Sequence, residues 1–237
     1  LVYTIFRLIV IAIFVVAGIV GWRLLQDPAE FPVRHINVSS NYQHITPVSL
    51  ERLITPYALQ GFWSTHLNDL QQQLAQLPWV ANAEVERVWP DTFSIRIVEY
   101  HPIARWNQEK LLSDQMQVFS VPQSSIPNNL PQINAPDDQA QLMSQYFAQM
   151  QEMLKPLQLE VTKFEVNSRQ AFHAVLNSDI DVYFGRGDPT AQLHKFITVY
   201  NKIIGPHIDR VISVDLRYNN GLTIAWKTQN DKDDATK

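Results

Sequence analysis

Few residues in this chain stand where chemistry would need them. There is no cysteine among the 237 residues, which excludes disulfides, CxxC zinc or redox motifs and a thiolate nucleophile. The seven histidines are His35, His44, His66, His101, His173, His194 and His207. None forms HExxH or stands at ligand spacing from carboxylates, so no metal site is expected. No GxSxG and no SxxK occurs, which argues against a hydrolase elbow or a penicillin-recognising serine. The one GxG, Gly185–Gly187, lacks a third glycine, and no GxxxxGK[ST] exists, so phosphate-cradling loops are not expected either. Asp179 and Asp181 stand two apart on an expected strand and would share a face. A two-carboxylate glycosidase site is one reading of them; charges that keep a strand soluble is the simpler one. Arg186-Gly187-Asp188 spells an integrin-type tripeptide, but Asp188 before Pro189 reads as a helix N-cap. The net charge of −4 leaves no electrostatic driver for nucleic-acid binding.

The aromatic residues are the remaining candidates. Trp79, Trp89 and Trp106 flank an expected hairpin and its exit, where packing is their ordinary role. Trp226 lies on the last expected strand, with little chain left to cover it. It either closes the core of its own domain or stands on a free sheet edge open to strand addition.

These residues are carried by three kinds of element. Residues 1–25 are apolar except for Arg7 and Arg23, and at about 1.5 Å per residue they make roughly 37 Å of helix, enough to cross a bilayer. Tyr3, Trp22 and the two arginines suit the interfaces. The stretch is long and no A-x-A follows it, so it reads as an uncleaved anchor rather than a signal peptide. The chain begins at Leu1 rather than Met, and a short cytoplasmic segment upstream is expected.

After a linker at residues 26–32, residues 33–101 read as strand, helix, helix, strand, strand. Val33–Val38 alternates. Thr46-Pro47 caps a helix carrying Leu50, Leu53, Ile54 and Tyr57, which Gly61 stops. Leu67, Leu70, Leu74 and Leu77 mark a second helix ending before Pro78. Val80–Trp89 and Phe93–Val98 form a hairpin around Pro90-Asp91-Thr92.

Residues 102–227 read as mostly antiparallel sheet with two helices. Strands are expected at Ile103–Trp106, Gln115–Val121, Leu159–Val166, Phe172–Leu176, Ile180–Phe184, Val211–Arg217 and Leu222–Trp226. Pro122–Pro136 reads as loop. One helix follows Asp137-Asp138, with acids favoured at its start. The second carries Leu193 to Ile204 and ends at Gly205-Pro206. Asn220-Gly221 reads as a tight hairpin turn, and residues 228–237 as a disordered tail. The fold class is α+β behind one transmembrane helix.

Leu77–Trp106 (LPWVANAEVERVWPDTFSIRIVEYHPIARW) resembles the POTRA hairpin and exit of the FtsQ/DivIB family of bacterial cell-division proteins. Leu176–Asp188 and Ile212–Trp226 resemble that family's β domain, and the likeness runs in order along the chain. It implies a single-pass, type II inner-membrane protein. Its POTRA-like and β domains would be periplasmic, at the division septum, with no catalytic activity and no cofactor. It implies a scaffold between early and late division proteins that holds the FtsB–FtsL pair by strand addition to the last β-strand. The matching positions are Arg217, Tyr218, Asn220, Gly221, Leu222 and Trp226, with Arg169 as a further basic position. The family's POTRA contacts to FtsK and FtsW fall here on Asn82, Val85 and Arg87. Two other functions compete: a POTRA-type envelope assembly or secretion adaptor, and an anchored periplasmic hydrolase using Asp179 and Asp181.

Overall fold

The computed structural model describes residues 2–218 and 221–227. The chain divides into two compact units, one running to Tyr100 and the other starting at His101. The expected tail at 228–237 lies outside the described residues.

The first unit begins with α1 (Val2–Gln26), whose window Ile9–Gln26 is long and apolar enough to cross a membrane. Then follow β1 (His35–Ser39), α2 (Pro47–Ala58), α3 (Leu67–Ala75), β2 (Val80–Val88) and β3 (Thr92–Glu99). The three strands form one sheet in the order β1-β3-β2, with β1 parallel and β2 antiparallel to β3. The hairpin alternation expected from sequence is present: Phe93, Ile95 and Ile97 are buried, while Arg96 and Val98 are exposed. Leu50, Ile54, Leu70 and Leu74 of the two helices are buried with them, which is why a period-two stripe and a helical stripe coexist in this short segment. Thr46 caps α2 by accepting the Ser49 N–H at 3.3 Å, with Pro47 in the first turn. The helix ends at Ala58, before Gly61. Gly61 has φ +98°, and a Cβ there would stand 3.0 Å from the Pro28 Cα, so the position needs glycine for both backbone sign and space.

At the opposite end of this sheet Glu99 is buried. Its carboxylate accepts the Ser40 hydroxyl at 3.1 Å and the Gln43 and His44 N–H groups at 3.2 and 2.8 Å. The His44 ring stacks on Trp79 with centroids 3.6 Å apart.

The second unit is built on one sheet. Its strands are β4 (Pro102–Trp106), β5 (Lys110–Ser113), β6 (Val118–Ser120), β7 (Gln132–Asn134), β8 (Val161–Val166), β9 (Ala171–Leu176), β10 (Asp181–Arg186), β11 (Val211–Asp215) and β12 (Thr223–Trp226). Their order is β12-β11-β10-β9-β8-β7-β4-β5-β6. Helices α4 (Ala140–Leu154) and α5 (Pro189–Val199) bring Met143, Phe147, Met150, Leu193 and Phe196 into one buried cluster with Trp106, Phe164, Val182 and Val214 of the sheet.

Three local readings are corrected. The expected strand Gln115–Val121 shortens to β6 (Val118–Ser120), which pairs antiparallel with β5 (Lys110–Ser113), a strand outside the expected set. β7 lies inside the expected loop Pro122–Pro136, pairing in parallel with both β4 and β8. Asp137 accepts the Trp106 indole N–H at 2.7 Å and pairs with Lys110 at 2.6 Å. These hydrogen bonds, from Lys110 first and Trp106 second, hold its carboxyl below the usual aspartate range. Helical winding passes Gly205: α5 runs into a π turn at Tyr200–Ile204 and a 3-10 turn at Gly205–Arg210.

The cap reading of Arg186-Gly187-Asp188 agrees with the structure. The Asp188 carboxylate accepts the Thr190 hydroxyl and the Thr190 and Ala191 N–H groups, and Pro189 opens α5. The hydrogen bond from the Thr190 hydroxyl is the largest influence holding the Asp188 carboxyl below the usual aspartate range. Asp188→Ala is therefore expected to cost about 1 kcal/mol. A depressed carboxyl stabilises above its unfolded value and loses that contribution as pH falls through its folded one. Melting curves of both proteins should therefore separate at neutral pH and converge in acid.

Candidate partner-binding edge

β12 is the terminal strand of the sheet among the described residues. It pairs antiparallel with β11, Thr223 opposite Asp215 and Trp226 opposite Val211. The Lys227 N–H donates to the Arg210 carbonyl at 2.7 Å. Backbone groups of successive residues alternate sides in an antiparallel ladder. Lys227, Ala225 and Thr223 therefore bond inward to β11, and the N–H and C=O groups of Ile224 and Trp226 point to the open side. The strand is little buried: Thr223 and Ala225 are exposed and Ile224 is half-buried.

Trp226 is 37% exposed and meets His207 edge to face at 6.3 Å. It does not belong to the buried cluster of the unit. Of the two readings of this residue, the structure gives the edge position, not core closure. Leu222 is half-buried against the cluster. Tyr218 is 57% exposed, and its carbonyl accepts the Lys195 ammonium at 3.1 Å. The pairing of β11 with β12 runs to Asp215 opposite Thr223. Gly221 is exposed just before β12, and Asn220, the other residue of the expected turn, falls outside the described residues.

Arg217 is held in place. It forms a fork on Asp215, with Nε 2.9 and 3.0 Å and Nη2 2.5 Å from the carboxylate oxygens. Its guanidinium lies 6.0 Å from the Tyr183 ring centroid. The Arg217 hydrogen bond holds Asp215 below its usual range, and the same bond raises Arg217. Gly185 makes this possible: it has φ +76° at a bulge in β10, and a Cβ there would stand 2.9 Å from the Arg217 Cγ. Arg169 sits in the turn from β8 to β9, exposed, with its N–H on the Asn167 side chain at 2.9 Å. Register brings it to the same end of the sheet as Arg217: β9 begins where β10 ends, Ala171 opposite Arg186, and β10 runs parallel to β11. Three strand spacings, about 14 Å, separate β9 from β12.

The sequence did not single out the polar row beside this edge. His173 on β9 places Nδ1 3.1 Å from Glu165 and Nε2 2.7 Å from Asp181, and stacks on Tyr183 at 4.7 Å. Burial raises the Glu165 carboxyl, but hydrogen bonds and charge from Lys163 and His173 outweigh it and hold the group low. The alternation of β8, β9 and β10 could have shown that these side chains share a face. Asp179, in contrast, lies in the β9–β10 turn with φ +56°. It and Asp181 do not form the shared strand face on which a two-carboxylate site was considered.

In the first unit, Asn82 is exposed and bonds to Glu84 at 3.2 Å. Val85 is buried under the helices, so its side chain is not offered to a partner. Arg87 donates to the carbonyls of Phe62 at 2.7 Å, Trp63 at 3.5 Å and Thr65, and burial lowers its guanidinium from the ordinary value. It organises a loop of its own unit.

Comparison with known proteins agrees with this architecture. Residues 31–100 match the family model of the FtsQ-type POTRA domain, and residues 104–217 match that of the FtsQ/DivIB C-terminal domain. The cell division protein FtsQ of Coxiella burnetii is 36% identical over 211 residues, 89% of this chain and 86% of the relative. FtsQ of Methylomonas methanica is 31% identical over 224 residues, 93% of this chain and 90% of the relative. FtsQ of Xanthomonas campestris is 30% identical over 220 residues, 93% of this chain and 78% of the relative. The chain, with its apolar membrane anchor, belongs to the FtsQ family of cell division proteins.

Proposed function

We propose that this chain is a non-enzymatic divisome scaffold that captures the FtsB–FtsL pair by adding a partner strand to β12. It would act from the inner membrane, with both folded units in the periplasm at the septum. The single observation that carries this is the open side of β12, where Ile224 and Trp226 turn their backbone donors and acceptors outward. An unpaired edge binds an extended chain through those groups. Trp226 supplies exposed aromatic surface at one end of β12, opposite Val211, and Tyr218 supplies it beyond the other end, where Arg217, Arg169, Gly221 and Leu222 also lie; Asn220 completes the set of sequence candidates. Arg217 is already paired with Asp215, so an incoming carboxylate would have to share it. Arg169 has no ion-pair partner within 4.0 Å among the described residues. On the first unit, Asn82 is the one of the three sequence candidates whose polar side chain, bonded to Glu84, stays on the surface where a partner such as FtsK or FtsW could reach it.

The test is amide hydrogen exchange on the full chain in detergent, with and without FtsB–FtsL. The Ile224 and Trp226 amides exchange freely alone and become protected in the complex, while Ala225 stays protected in both. Capture of the pair with no change at Ile224 and Trp226 would place the contact elsewhere.

A further inference from the structure

The topology of the first unit decides which of its ends meets the anchor. β1 leaves the linker at His35 opposite Thr92 of β3, and the Arg34 N–H donates to the Asp91 carbonyl at 2.9 Å. The β2–β3 turn therefore lies where the chain arrives from α1. The loop after α2 comes back to the same end. Its Phe62 N–H donates to the Phe31 carbonyl at 2.8 Å. Its Ser64 hydroxyl donates to the carbonyl of Gln26, the last residue of α1, at 2.6 Å. Arg87, next to the end of β2, donates to carbonyls of that loop and so ties turn and loop together.

At this end stand Phe31, Leu59, Trp63, Val88 and Trp89, all exposed. Trp89 at 78% and Leu59 at 74% are the most exposed large apolar side chains outside α1 among the described residues. Trp63 lines one hollow with Trp22 of α1. Single exposed apolar residues are ordinary on any surface. Five of them at the end fastened to a membrane helix are a different matter, because water is not the solvent there. Tryptophan suits the headgroup layer, where its ring is half solvated by lipid and its N–H finds partners.

We infer that this end of the first unit rests on the bilayer, with Leu59, Trp63 and Trp89 set into the headgroup layer. The partner of this surface is lipid, and the contact fixes the orientation of the unit relative to the membrane. The inference rests on α1 spanning that membrane.

The absence of cysteine makes the test direct. Single variants Leu59→Cys and Trp89→Cys of the full chain carry a nitroxide in vesicles of phosphatidylethanolamine and phosphatidylglycerol. Ile13→Cys marks the span and Gln73→Cys, exposed on α3, marks the aqueous side. Labels at 59 and 89 should show several-fold lower access to a water-soluble nickel chelate than the label at 73. They should also show higher access to oxygen. Access equal to that at 73, with the label at 13 lipid-buried, overturns the inference while leaving the anchor intact. A water-accessible label at 13 overturns the anchor itself, and the inference with it. Brominated lipids read the same contact without a label: they quench Trp63 and Trp89 emission, and the Trp63→Phe, Trp89→Phe double variant loses that share. If the double variant keeps the full quenchable share, Trp63 and Trp89 are away from lipid and the inference fails.

Discussion

Glu99→Ala unfolds the loop at residues 40–44 and costs the first unit about 3–5 kcal/mol. The carboxylate is fully buried, and three donors from Ser40, Gln43 and His44 converge on it. Removing it leaves two backbone N–H groups inside the protein without an acceptor, at about 1–3 kcal/mol each, beside a cavity that adds its own cost. That is a large part of the roughly 5–15 kcal/mol that holds a domain together. The stacked His44 and Trp79 rings lose their anchor at the same time. Glu99→Gln keeps the shape and one acceptor oxygen but turns an amide donor toward N–H groups, so it should fall between alanine and wild type. Urea unfolding of the full chain, followed by hydrogen exchange at the β2 and β3 amides, measures this. An alanine variant within about 0.5 kcal/mol of wild type, the range of a neutral surface change, would show that the clamp adds nothing.

The second large effect is expected on partner capture. Ile224→Pro removes a backbone donor that points to the open side of β12, and leaves the bonds to β11 in place. Proline is tolerated on an edge strand for that reason. Ile224→Ala loses the same packing but keeps the donor, so the difference between the two reports the strand contact alone. Proline should abolish detectable capture of FtsB–FtsL while alanine weakens it only slightly. Trp226→Ala should cost about 2 kcal/mol, roughly thirty-fold in affinity. Its melting should be unchanged, because the ring lies outside the buried cluster. Equal capture by the proline and alanine variants would exclude strand addition at this position. An early melt of Trp226→Ala with unchanged affinity would return the residue to a packing role.

The elements whose hydrophobic pattern repeats were legible from sequence. α2, α3, α4, β2 and β3 bury the faces their spacing marks, because period and burial are the same information there. β7 was not legible: it is three residues long with Ile133 alone buried, too short for any period. Its existence is set by β4 and β8 on either side. The expected Asn220-Gly221 turn falls partly outside the described residues. At the candidate edge, the residue types of Trp226 and Tyr218 were visible in advance. The direction of each backbone N–H was not, since it follows from the register. Arg87 and Val85 were partner contacts only through the family resemblance. One is spent on carbonyls of Phe62, Trp63 and Thr65 and the other is buried, which only tertiary packing decides.

β7 carries one more meaning. Among the described residues it alone links, by backbone pairing, the β4-β5-β6 part of the sheet to the β8-to-β12 part, and its register with β4 comprises Arg105 opposite Gln132 and Trp106 opposite Ile133. The chain enters the second unit at β4, and a partner on β12 would stand at the far side of that seam. Tension between the N-terminal segment and a partner strand would meet the shortest paired register of the sheet at this seam, backed by the buried cluster that packs across it. Under load, the sheet is expected to part first at β7 rather than at the edge where the load is applied.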